Sequence, residues 1–326
     1  MSLGTGSGHH PQNEIITIAV QPRKFITEIA VPFLPRLQLH DPDYKPRGFH
    51  GLKKKLGRAA DDVLHGWMKL PARGTFTVSM ADGISHDLAF DAHQSAYLAF
   101  VSRELHGGYE PTETLFLEAM LAKANSFFDV GANWGYYSLL AATHKQYSGK
   151  IFAFDVSGQM NFALTSMAES LALNSLEVVG CGLSDQSGNV VISAAEATHL
   201  TKIIGAENGQ VSRVETAKVT TLDDIELPAP DLMKIDVEDH EIEVFRGGKT
   251  VLTQHKPLIL FENRSGRNGG KAGNFLQTLG YNLYYLTSPV DADSTINLVP
   301  LNLAELAEEL VNYVAVPAGQ EAHWFE

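Results

Sequence analysis

Ser126–Ala142 reads SFFDVGANWGYYSLLAA. An apolar run ends at an acid, Asp129, passes through Gly131, Asn133 and Gly135, and resumes with apolar residues at helical spacing. The pattern predicts a buried strand, a glycine turn and a helix start, the unit from which open parallel sheets are built. In such sheets ligands sit outside the carboxyl ends of the strands, where the turn brings backbone close and the helix presents free N–H groups. Gly131 and Gly135 are read as positions kept bare so that a ligand can approach.

Outward from this stretch the same alternation continues. A helix is predicted over 112–123, strand SFFDV, and a helix from about Tyr136 to Thr143; then come strand KIFAFDV, helix GQMNFALTSMAESLAL, strand LEVVGCGL and hairpin SDQSGNVVIS. After a polar stretch at 194–213 follow VETAKVTTLDDI, strand DLMKIDV, helix HEIEVFRGGKTVLTQ, strand PLILFE, a Gly-rich loop, a helix from Lys271 and a final strand YNLYYL. Strands alternating with helices predict an α/β fold with a Rossmann-like, doubly wound, mostly parallel sheet.

Residues 1–75 differ in character. MSLGTGSGHH reads as a flexible leader, and 32–46 as a Pro-rich arm. GLKKKLGRAADDVLHGWMKLP gathers Leu52, Leu56, Val63, Leu64 and Trp67 on one helical face beside Lys53, Lys54 and Lys55, a basic amphipathic helix. A membrane-surface or substrate-capture role is one reading of that face; packing against the main domain, or against a second copy in a homodimer, is the expected use. Residues 76–110 hold a hairpin, centred on Asp82-Gly83, and a lead-in. The division is therefore 1–75, 76–110 and a nucleoside-binding domain over 111–326.

The chain has 326 residues with 44% hydrophobic and 19% charged residues, a globular balance with room for a large core. No apolar run reaches the ~20 residues of a membrane-spanning helix. A single cysteine, Cys181, allows no internal disulfide and fits a reducing compartment, the cytoplasm by default. Residues 1–75 carry 11 Lys/Arg against 6 Asp/Glu, and the remainder 14 against 32, within a net charge of −13. A body this acidic argues against nucleic acid as a partner, because affinity for it comes largely from neutralised phosphates.

Acids decide the ligand class. A dinucleotide fingerprint needs G-x-G-x-x-G with its pyrophosphate on the helix N-terminus; this turn has only G-x-x-x-G, and Asp129 stands where it would repel phosphate. S-adenosylmethionine, whose head carries a sulfonium and an ammonium, suits it better: a carboxylate about 4 Å from such a charge is worth on the order of 4 kcal/mol at an effective dielectric near 20, before desolvation. Asp155 ends the next strand about 20 residues past the turn, where an acid accepts hydrogen bonds from ribose hydroxyls. A nicotinamide cofactor would use that position equally.

At this point the chain resembles a family. FFDVGANWGYYSLLAA, LSDQSGNV, TTLDDI, LMKIDVEDHEIEVFRGG, KPLILFEN and NYVAVP stand in the order found in the FkbM-like S-adenosylmethionine-dependent methyltransferases, over roughly 108–317, and GGYEPTET before the first strand is similar to the family as well. The resemblance implies a class I domain with a seven-stranded sheet, methylation of hydroxyl oxygens on macrolides, sugars or related metabolites, and S-adenosylhomocysteine as product. It implies cofactor contacts from Glu110, Asp129, Gly131, Ala132, Asn133, Gly135, Asp155, Asp185 and Asp236. Two positions depart from the family pattern: the acid after the second strand belongs to DVSG where Glu-Pro is usual, and DVED puts Asp239 where glycine is usual.

Methylating a hydroxyl requires removing its proton, which a carboxylate or imidazole at hydrogen-bond distance can do. Strand alternation carries Lys234, Asp236 and Glu238 to one side of DLMKIDVE. Asp236, Glu238 and His240 are the catalytic candidates, with Glu262 beside them; Lys234 or Arg246 are expected partners of Glu238. No spacing demands a metal ion and none is expected, although Asp236, Glu238 and Glu262 could form an oxygen site for a divalent cation. The expected acceptor is a small molecule or glycan hydroxyl. The competing readings are a nucleoside-binding scaffold without turnover, which fold alone does not exclude, and a dehydrogenase.

Overall fold

Both faces of the strand at 126–130 are covered, so Phe127, Phe128 and Val130 are all buried and the strand reads as one apolar run, not an alternating one. The computed structural model describes residues 14–21, 23, 25–30, 73–91, 109–193, 202–203, 214–262, 270–287, 295–303 and 312–326. The arm at 32–46, the basic helix at 51–70 and the polar segment's core at 204–213 lie outside the described residues.

In chain order the elements are β1 (Ile16–Ala19), β2 (Ile26–Ala30), β3 (Arg73–Ser79), β4 (Ser85–Asp91), α1 (Pro111–Leu121), β5 (Ser126–Val130), α2 (Tyr136–Ala142), β6 (Lys150–Phe154) and α3 (Gly158–Ser170). There follow β7 (Leu176–Val178), β8 (Gly182–Leu183), β9 (Gly188–Ser193), β10 (Lys202–Ile203), β11 (Val214–Thr220), β12 (Leu232–Ile235), α4 (Glu241–Gly247), α5 (Lys249–Gln254) and β13 (Leu258–Glu262). The chain closes with α6 (Lys271–Thr278), β14 (Tyr281–Thr287), β15 (Thr295–Pro300), β16 (Asn312–Pro317) and α7 (Glu321–Phe325).

Among the described residues the main sheet has nine strands in the order β1-β15-β14-β16-β13-β12-β5-β6-β7. From β13 to β7 every pairing is parallel, and β16 is inserted antiparallel between β13 and β14. Only β16 and β15 run against the rest, which makes the sheet mostly parallel. The count corrects the expected seven: β15 folds back on β14, and the N-terminal β1 pairs with β15. Two expected elements are also divided. Strand LEVVGCGL breaks at Gly180, whose φ is +72°, so β7 stays in the main sheet while β8 joins a separate sheet with β9, β10 and β11. The helix expected from His240 is two, α4 and α5, meeting at Gly248.

Strand alternation sorts the core into two layers. Phe127, Ile151, Leu232, Leu258 and Val314 face α1, α2 and α3. Phe128, Phe152, Met233, Ile259 and Phe261 face α4, α5 and α6. A third sheet, β2-β3-β4, turns between β3 and β4 around Asp82 and Gly83, and its Phe76, Val78 and Leu88 join the first layer together with Phe25 and Ile26. The carboxyl ends of β5, β6 and β12 then lie side by side, with Asp129 opposite Lys234 in the β5–β12 register.

Candidate active site

The turn Gly131–Gly135 shows why its letters are G, N and G. Gly131, Asn133 and Gly135 have φ of +79°, +50° and +80°, alternate left-handed positions that glycine adopts freely and asparagine tolerates. A Cβ on Gly131 would stand 1.8 Å from the carbonyl oxygen of Asp236, and one on Gly135 would stand 2.2 Å from Leu164 Cδ1. Both glycines are therefore required by contacts within the protein, a different reason from the ligand approach expected from sequence. The turn's own amides are used within the protein as well. Gly131 and Ala132 both donate to the Phe154 carbonyl at 2.9 Å, Gly135 donates to Ala132, and Asn133 N–H donates to Asp155 Oδ2 at 2.9 Å. These four amides are not left to cradle a phosphate.

Asp129 is 1% exposed. Its Oδ2 accepts a hydrogen bond from Ser138 on α2 at 2.7 Å, while Oδ1 has no hydrogen-bond partner among the described residues. Burial pushes its carboxyl upward; Lys234 and Ser138 act in the opposite direction, and Asp236 adds to the rise. Asp155 is also buried and uses both oxygens, Oδ2 for Asn133 and Oδ1 for Ser157 N–H at 2.7 Å, so it ties the glycine turn to the start of α3. Burial lifts its carboxyl to about 6, with Asp129 and Asp236 contributing and the two amide bonds opposing. The three aspartates belong to one electrostatic site.

Lys234 is the positive charge among them. Its Nζ lies 2.8 Å from Asp236 Oδ2 and 4.9 Å from the centroid of the Tyr137 ring. Burial would lower its pKa, but Asp236, Glu110, Tyr109 and Asp129 reverse this and hold it above the ordinary lysine value. The partner of Lys234 is thus Asp236 and not Glu238, while Arg246 approaches Glu243. Glu110 stands just before α1 with φ of +41° and accepts from the Tyr137 hydroxyl. Tyr136 and Tyr137 are both buried and pack with Tyr109 at centroid distances of 5.0 and 6.2 Å. One lysine among Glu110, Asp129 and Asp236 leaves a surplus of negative charge.

Beyond Asp236 the chain leaves the strand. Glu238 and Asp239 have φ of +53° and +77°, so strand alternation stops before them, and a left-handed turn brings Glu238 back instead. Carboxylate oxygens of Asp236, Glu238 and Glu262 lie within 4.8 Å of one another, an oxygen set of the kind a hard cation accepts and equally a locus for proton transfer. His240 is brought elsewhere: Nε2 is 2.9 Å from Ser184 Oγ and Nδ1 is 3.7 Å from Glu243. Burial lowers its pKa, against the pull of Glu243 and Asp185. Asp185 sits with this pair and accepts from Ser184 at 3.3 Å.

Glu241 is the residue that the sequence reading missed. A glutamate in the first turn of a helix is expected to face solvent and favour the dipole, yet this one is 2% exposed and accepts from Val237 N–H at 3.3 Å. Burial, with Asp236 and Asp239 adding to it, raises its carboxyl to about 7. Cys181 is buried and unbridged, and burial raises its thiol.

Sheet order, doubly covered faces and acids gathered at the strand ends define an α/β protein of methyltransferase-like fold. Within that class, residues 129–285 match the family described as the methyltransferase FkbM domain. The hexuronic acid methyltransferase AglP of Haloferax volcanii is 27% identical over 221 residues, 65% of this chain and 83% of that protein. The solved structure of methyltransferase FkbM from Methylobacillus flagellatus aligns with a TM-score of 0.40 at 15% identity, over 64% of this chain and 55% of its own, so the chain spans little more than half of that protein. A precorrin-6y C5,15-methyltransferase from Geobacter metallireducens aligns with a TM-score of 0.38 at 16% identity, over 66% of this chain and 91% of its own. No helix among the described residues is long and apolar enough to cross a membrane.

Proposed function

We propose that this protein transfers the methyl group of S-adenosylmethionine to a hydroxyl oxygen of a sugar or related small metabolite. The observation that carries the reading is the unmatched Oδ1 of Asp129, a buried acceptor in a site whose acids outnumber its lysine. Such a site fits a ligand with cationic donors, and the amides spent inside the glycine turn disfavour a diphosphate. S-adenosylmethionine would supply an electrophilic methyl carbon on a positive sulfur.

Asp129 and Glu110 would hold the ammonium of the amino-acid end, Asp155 the ribose hydroxyls, and Asp185 the base. Lys234 keeps Asp236 oriented through the 2.8 Å ion pair. On the acceptor side, Asp236 is committed to Lys234, and His240 is engaged through Nε2 with Ser184. The reading therefore places proton removal at a carboxylate oxygen of Glu238, with Glu262 beside it, and gives His240 the task of fixing the start of α4. Three clustered carboxylates favour a neutral hydroxyl over an anionic carboxylate as the methylated group. The named activity of the Haloferax volcanii protein supports a sugar acceptor.

Titration calorimetry with S-adenosylmethionine and with NAD tests the cofactor, binding of the first alone being expected. Release of S-adenosylhomocysteine in the presence of uronic acid and neutral sugar acceptors tests turnover. Stability of the product to mild alkali then separates an ether from an ester. Binding of NAD without S-adenosylmethionine would sink the proposal.

A further inference from the structure

We infer that Arg23 and Phe25, which lie outside the matched family region 129–285, are positioning residues for the methyl-donor pocket, acting through helix α2. This rests on the functional reading above. Helix α2 has seven residues, too few to be stable alone, and its last carbonyls lack intrahelical donors. Arg23 supplies them. Its Nη2 donates to the Leu140 carbonyl at 2.8 Å and its Nη1 to the Thr143 carbonyl at 2.7 Å, while Nε donates to Glu118 of α1 at 3.1 Å. The guanidinium thus fastens α2 to α1 and places positive charge at the negative end of the helix.

Two residues later the chain reaches the other end of the same helix. Phe25 is fully buried, with its ring 5.6 Å from that of Tyr136, the first residue of α2. Arg23 stacks on Phe25 at 5.2 Å, and the Phe25 carbonyl accepts from Ser79 N–H at 2.8 Å, which anchors the segment to β3. Between the two grips, α2 carries the partners of both donor-site acids: Ser138 holds Asp129 Oδ2, and the Tyr137 hydroxyl holds Glu110. A shift of α2 along its axis therefore moves both hydrogen bonds together, and with them the carboxylates that would meet the ammonium.

The test uses the full chain and its variants Arg23→Ala, Arg23→Lys and Phe25→Leu. S-adenosylhomocysteine binding is followed by calorimetry, and KM for S-adenosylmethionine is compared with kcat. Arg23→Ala is expected to weaken binding about tenfold and to raise KM while kcat per folded molecule stays within about twofold, since remote misplacement acts on the site's geometry. Arg23→Lys, which keeps the charge but not the fork, recovers part of the loss. A purely structural role would instead lower the number of binding-competent molecules and leave the dissociation constant of the remainder alone. Dissociation constants within about twofold of the parent for Arg23→Lys and Phe25→Leu overturn the inference even if Arg23→Ala does not fold. The parent is measured first: if it binds no S-adenosylmethionine or S-adenosylhomocysteine, the functional reading falls and the inference with it, whereas parent binding with unchanged variants removes the inference alone.

Discussion

Asp129→Asn separates a ligand-binding acid from a structural one. The substitution preserves volume and an oxygen to accept from Ser138, but removes the charge. A pair of unit charges about 4 Å apart gains ~4 kcal/mol at an effective dielectric of 20. Part of that is offset because Asp129 is fully buried and desolvated before any ligand arrives. A hydrogen bond to a charged group nets about 1.5–3 kcal/mol after such costs, which is roughly ten- to a hundredfold in Kd for S-adenosylmethionine. The unliganded protein should respond with the opposite sign. A carboxyl raised above its unfolded value is bound more tightly to its proton in the folded state, so its contribution favours folding at low pH and turns unfavourable as pH rises through the folded value. At neutral pH the asparagine therefore leaves Tm equal or higher while binding weakens. Calorimetry of binding and of unfolding on the same samples reads both. Binding within about threefold of the parent, or a Tm that falls together with affinity, would refute the reasoning.

Gly131→Ala places a Cβ 1.8 Å from the Asp236 carbonyl at a φ of +79° and should lose about 3 kcal/mol or more in denaturant unfolding. Gly83→Ala, at φ +86° with nothing within 4 Å, is the control and should lose only about 1 kcal/mol; equal losses would show that the close approach is immaterial. Asp239→Gly relieves a side chain held at φ +77° and should gain about 0.5–1 kcal/mol net, a Tm rise of roughly 1–3 °C; a lower Tm would mean that the carboxylate's own contacts outweigh the strain. Glu241, raised to about 7, contributes stability in full below the unfolded glutamate value that is lost as pH climbs toward and through 7. Unfolding free energies at pH 5 and pH 8 should therefore differ less in Glu241→Gln than in the parent, by on the order of 3 kcal/mol at most; an unchanged difference would dismiss the assignment.

The sheet's centre was legible because buried parallel strands leave a strong mark: SFFDV, KIFAF and LILFE are apolar on both faces and each ends near an acid. Asp129 and Asp155 could be found for the same reason, an unexpected charge at the end of an apolar run. What sequence did not disclose is how the polar atoms are shared. Nothing in GANWG says that its amides are used by Phe154 and Asp155, since those bonds depend on the neighbouring strand. Alternation carried too far made Lys234 a partner for Glu238, because the left-handed φ at Glu238 and Asp239 has no signature in residues that usually avoid it. Strands β15 and β1 escaped notice since β1 is four residues long and gains its partner from 280 positions away, as the Thr17–Asn297 hydrogen bond shows. Glu241 escaped notice because helix periodicity cannot tell a first turn at the surface from one driven into a site.

Lys234 reconciles two demands that otherwise conflict. A pocket for a cation needs ionised acids, yet burial raises the carboxyls of Asp129 and Asp155, and Asp236 beside them adds to the rise. One ammonium, paired to Asp236 and resting on the Tyr137 ring, opposes that rise at Asp129. The ring that supports the lysine belongs to the same tyrosine that holds Glu110, and the next residue, Ser138, holds Asp129, so a single turn of α2 orients both carboxylates. On the proposed function, the unmatched oxygen of Asp129 favours a positive partner. The amides of the glycine turn, already bonded within the protein, reject a diphosphate on separate grounds. On the proposed function, charge and hydrogen bonding therefore disfavour the same competitor independently, and a change that reversed one of them would leave the other in force.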